Sequence, residues 1–97
     1  MPQQFPLATT YADVMNSKAH MIECTQELAD DALNALPPYY APGCFGMGEP
    51  HSHADDGAPI TVWFAQIGGK WYALLGTRID AIAVFDLARA AFHKVAV

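Results

Sequence analysis

Two consecutive glycines, Gly68 and Gly69, constrain this chain more than any other feature. They stand between two runs rich in β-branched and aromatic residues, 60–67 and 70–75. A two-residue turn of this kind tolerates positive φ at both positions and predicts a β-hairpin over 60–76. The turn also fixes the register. Ile67 falls opposite Lys70, Gln66 opposite Trp71, Ala65 opposite Tyr72, Phe64 opposite Ala73, Trp63 opposite Leu74 and Val62 opposite Leu75. Paired residues share a face. One face therefore carries Ile60, Val62, Phe64, Trp71, Ala73 and Leu75, and the other carries Thr61, Trp63, Ala65, Ile67, Tyr72 and Leu74. A hairpin with one face in water alternates with polar residues. This one is apolar on both, so helices on opposite sides, or another chain, must cover it.

The flanking segments supply the helices. Thr10 stands three before Asp13, a capping-box-like spacing, and no glycine or proline occurs from Tyr11 to Leu36. Met15, Ile22, Ala29 and Leu36 repeat every seven residues, as do Val14, Met21 and Leu28. The spacing predicts one long amphipathic helix, weakest at Asn16–Ser17 and ended by Pro37 and Pro38. Thr77 and Asp80 repeat the capping spacing, and a second helix follows to about Val95. Its apolar positions run most of the way round, which predicts burial on several sides and a homodimer or partner interface.

Residues 37–59 hold five prolines and four glycines. They read as a loop packed on the core through Tyr39, Tyr40, Phe45 and Met47, with a short third strand fitting Cys44–Met47. Residues 1–9, with Pro2 and Pro6, read as an extended tail whose Phe5 and Leu7 are placed to pack on the core. The expected fold class is a single α+β domain over residues 1–97: long N-terminal helix, packed loop, antiparallel β-hairpin and C-terminal helix.

Charge is unevenly spread. Residues 1–69 hold eight acids (Asp13, Glu23, Glu27, Asp30, Asp31, Glu49, Asp55, Asp56) against Lys18, whereas residues 70–97 hold four bases against two acids. Direct nucleic-acid binding needs a basic stripe, and none is present. An acidic half suits a basic protein partner. No run reaches the roughly 18 apolar residues of a membrane span. The first ten residues have neither a basic region nor an apolar core, so a cytoplasmic location with reduced thiols is the expectation.

The residues able to carry chemistry cluster in one window. His20 and Cys24 are four apart, and Cys44, His51 and His53 follow. Together they offer more than the four nitrogen and sulfur ligands of tetrahedral zinc, but without the paired-cysteine spacing of common zinc modules. The alternative is buried cysteines with solvated histidines. A Cys24–Cys44 disulfide and a hard-metal site at Glu49, Asp55 and Asp56 are further alternatives, the second without calcium-loop spacing. Gly46 and Gly48 lack the context of a dinucleotide fingerprint. No catalytic residue is assigned and no cofactor is expected, zinc being the alternative. Trp63 and Tyr72, on one sheet face, can either fill a partner's pocket or pack in the core.

The segment from Cys44-Phe45-Gly46-Met47-Gly48-Glu49-Pro50, through His53, Gly57 and Pro59, to Gly68-Gly69-Lys70-Trp71-Tyr72-Ala73 resembles small uncharacterised proteins of bacterial plasmids and phages. In size, acidity and α+β pattern the chain is similar to anti-CRISPR proteins, which bind and block nucleic-acid-guided nuclease complexes. Such proteins share no common motif, so the resemblance assigns no residue a role. It implies a non-enzymatic inhibitor of a host defence complex, working in the host bacterial cytoplasm. The contact residues expected from charge and aromatic character are Glu27, Asp30, Asp31, Asp55, Asp56 and Trp63. Two alternatives remain open at this level: a zinc-binding or cysteine-based small enzyme centred on Cys44, His51 and His53, and a housekeeping homodimer.

Overall fold

The computed structural model describes residues 7–17, 20–35 and 37–96, with side chains in the last helix as far as His93. Along the chain run α1 (Tyr11–Met15), β1 (Ile22–Cys24), α2 (Gln26–Ala35), β2 (Tyr39–Ala41), β3 (Cys44–Gly46), β4 (Ser52–His53), β5 (Pro59–Ile67), β6 (Lys70–Gly76) and α3 (Arg78–Ala96). The strands form one six-stranded antiparallel sheet in the order β1-β6-β5-β3-β2, with β4 pairing β5 off that path.

The hairpin anchors the fold. Gly68 and Gly69 both take positive φ, 61° and 83°, and the pairing runs from Ile67↔Lys70 through Val62↔Leu75 to Thr61↔Gly76. Its two faces are covered within the chain. Val62, Phe64 and Ala73 pack with Val14 of α1 and Leu28, Ala29 and Ala32 of α2. Trp63, Ala65, Ile67 and Leu74 pack with Ala81 and Phe85 of α3. Helices on opposite sides thus bury both faces, and the hairpin does not call for a second chain.

The expected layout of long helix, loop, single hairpin and C-terminal helix is overturned. The structure is a mixed α/β fold dominated by its sheet. The predicted N-terminal helix is two helices with a strand between them. Asn16 caps α1, and the Ser17 hydroxyl donates to the Val14 carbonyl at 2.6 Å, ending the helix. Residues 22–24 then pair along β6, with Ile22↔Ala73 and Cys24↔Trp71. The reason lies in β6, whose outer backbone groups would stay unpaired in a two-stranded hairpin. Thr25 restarts the helix by accepting the Leu28 N–H at 3.2 Å. Leu36, expected to close the long helix, lies outside the described residues.

The predicted packed loop contains three short strands, β2, β3 and β4. Pro42–Gly43, with Gly43 at φ 77°, turns β2 into β3, and β3 pairs β5 through Phe45↔Phe64 and Gly46↔Trp63. Of the expected tail, residues 1–6 lie outside the described residues, Phe5 among them, while Leu7 is exposed. Ala8 bridges β1: its N–H donates to the Glu23 carbonyl at 2.9 Å, and its carbonyl accepts from Thr25 at 3.0 Å. Residue 8 thereby covers the outer edge of β1. Among the described residues, β2 is the open end of the main strand order, and β4 pairs with β5 alone.

Candidate functional site

All eight acids of residues 1–69 are exposed. Two of them, Asp13 and Glu23, cap a helix or face a base. The Asp13 carboxylate caps α1 by accepting from the Thr9 and Thr10 N–H groups at 3.0 and 3.2 Å, and the Thr9 bond leads in holding it below the usual carboxylate range. Glu23 stands 4.0 Å from Lys70. The other six make no ion pair among the described residues. α2 turns Leu28, Ala29 and Ala32 to the sheet, which leaves Glu27, Asp30 and Asp31 on its outer side. Asp31 reaches the surroundings of Tyr11, whose phenol is raised first by burial and then by that charge. Asp55 and Asp56 occupy the turn from β4 into β5, where the Asp56 carboxylate accepts the Ala58 N–H at 3.0 Å.

Trp63, expected at the contact surface, is instead in the core. It is 2% exposed, and its indole N–H donates to the Gly76 carbonyl at 3.1 Å. Its room comes from Gly46, its partner on β3. Besides Phe92 on α3, the exposed aromatics among the described residues are Tyr39 and Tyr40 on strand β2, 42% and 71% exposed. They were expected to pack inward. Pro37 and Pro38 before them and Pro42–Gly43 after them are the sequence signal for a short strand between breaks.

The five cysteine and histidine candidates do not converge. Cys24 is buried with Val14, Leu28 and Phe64 on the α1/α2 side of the sheet. Cys44 is buried with Trp63 and Phe85 on the α3 side. Both thiols are free, and the sheet between them removes the proposed disulfide. His20, His51 and His53 are exposed. Among the described residues, no three His, Cys, Asp or Glu side chains are grouped to hold a metal ion. Burial pushes the Cys24 thiol up to about 11, helped by Glu23, and burial likewise raises Cys44 against the lowering effect of Arg89 and Arg78. The thiolate is the nucleophilic form, and burial disfavours it at both cysteines.

A groove of about 180 Å³ lies between α1 and the 47–51 segment, lined by Tyr11, Met15, Met47, Glu49, His51 and Thr61 among others. Thr61 ties that segment down, its hydroxyl 3.2 Å from the carbonyls of both Met47 and Glu49. The groove is smaller than the roughly 300–1,000 Å³ of drug-sized ligand sites. No protein-family model, curated protein or solved structure matches the chain. Among the described residues, no helix is long and apolar enough to cross a membrane.

Proposed function

We propose that this chain is a non-enzymatic protein-binding module whose acidic surface meets a basic partner. In particular it would inhibit a nucleic-acid-guided defence complex, the form implied by the resemblance to anti-CRISPR proteins. One observation carries the reading: Glu27, Asp30, Asp31, Glu49, Asp55 and Asp56 are exposed without an ion pair among the described residues. Unpaired acids facing water steer a basic partner and raise its association rate. The aromatic anchor such an interface needs is then Tyr39 and Tyr40, on an edge strand whose backbone groups can also pair with an extended segment. No observation favours the enzymatic alternative centred on Cys44, His51 and His53.

The test is a DNA-cleavage assay with purified guide-directed nuclease complexes from bacterial hosts, run with and without the protein. The reading expects dose-dependent inhibition of at least one complex, weakened by charge reversal at Asp30 and Asp31. Uninhibited cleavage across the panel, with no binding to any complex, would contradict it.

A further inference from the structure

The two most exposed large hydrophobic residues among those described, Ile79 and Leu87, lie on α3. Its inner side meets the sheet through Ala81 and Phe85, flanked by Ile82, Val84 and Ala88. Its outer side carries Ile79, Ala83, Leu87 and Ala91, spaced four apart and all exposed, Ile79 by 77% and Leu87 by 72%. Residues four apart share a helix face, so these make one stripe that alternates large and small. Both sheet faces are already covered, so nothing within the described chain is left to bury it.

The stripe is complementary to itself when reversed. Ile79 and Ala91 lie equally far on either side of Phe85, and so do Ala83 and Leu87. An antiparallel pair of α3 helices with its two-fold axis level with Phe85 therefore sets every large side chain opposite an alanine. Charge favours the same direction. As far as Asp86 the helix holds Arg78, Asp80 and Asp86, and from Leu87 onward it holds Arg89 and Lys94 and no acid, with Asp86 and Arg89 paired within the helix at 3.2 Å. Antiparallel pairing lays the more basic end of one helix over the Asp80 end of the other and opposes the helix dipoles. A parallel pair would stack Asp80 on Asp80. We infer that a second copy of this chain covers α3, in an antiparallel two-fold pair centred at Phe85.

The stripe from Ile79 to Ala91 spans about 18 Å at the helical rise. That is a small contact, so the dimer should dissociate in the micromolar range. This inference is independent of the acidic surface, since none of its residues lies on α2.

Sedimentation from low micromolar to submillimolar concentration tests it. The wild type should pass from monomer to dimer, and Leu87→Glu should stay monomeric with an unchanged melting temperature. Register is tested by oxidising a mixture of Ala83→Cys and Leu87→Cys proteins, the native cysteines being buried. The mixture should cross-link faster than either variant alone. A wild type that stays monomeric, a dimer that survives Leu87→Glu, or a mixture that cross-links no faster than its components would each overturn the inference.

Discussion

The indole of Trp63 fills the space that Gly46 leaves open: a Cβ on Gly46 would stand 2.7 Å from the ring. The two residues are direct partners across β3 and β5, and the absence of one side chain makes room for the other.

Removing either half of this fit should therefore cost stability. Gly46→Ala overpacks the site and should destabilise by about 1–3 kcal/mol. Trp63→Ala empties it and should cost about 3–5 kcal/mol. Chemical denaturation measures both. A Trp63→Ala protein that melts like the wild type would return Trp63 to the surface.

The same pair explains what the sequence leaves illegible. The hairpin register is local, set by Gly68 and Gly69, and can be read from the chain alone. Trp63's burial depends on a glycine seventeen positions earlier on a strand that pairs with its own. The break after α1 is equally non-local. The seven-residue repeat of Val14, Met21 and Leu28 suits a continuous helix, but it suits equally a chain that leaves the core layer and returns to it. The need of β6 for a neighbour decides the matter in favour of β1. The acids of α2 are legible as a surface because carboxylates without partners stay in water, while the exposure of Tyr39 and Tyr40 follows from their place on the last strand of the sheet.

Cys24 supplies a pH dependence. Its thiol titrates near 9.0 when unfolded and at about 11 when folded, chiefly through burial. Between those values the unfolded state holds fewer protons, so stability present below pH 9 should fall as pH rises toward 11. Cys24→Ser should flatten that alkaline loss, as read from melting temperature against pH. A thiol reagent should modify neither cysteine of the folded protein at neutral pH; prompt modification would contradict the burial of both.

With Cys24 and Cys44 on opposite sides of the sheet, a chelator should leave the melting temperature unchanged, and so should His51→Ala. A chelator-dependent fall in melting temperature would revive a zinc site built from His20, Cys24, Cys44, His51 and His53.

Tyr40→Ala separates anchoring from folding. Tyr40 is 71% exposed, so its loss should leave stability within about 0.5 kcal/mol of wild type. As an anchor it should speed dissociation from the nuclease complex by roughly 2 kcal/mol in binding free energy. An unchanged dissociation rate would remove β2 from the interface.

The central claim is electrostatic docking, and its most direct measurement is the association rate with an inhibited nuclease complex across a range of salt concentrations. Asp30 and Asp31 stand exposed on α2, so Asp30→Lys with Asp31→Lys should leave folding intact. The wild-type rate should fall steeply with added salt, and the double variant should associate more slowly with a flatter salt dependence, because surface charges act mainly on encounter. A double variant that matches the wild type in both rate and salt slope would contradict the account.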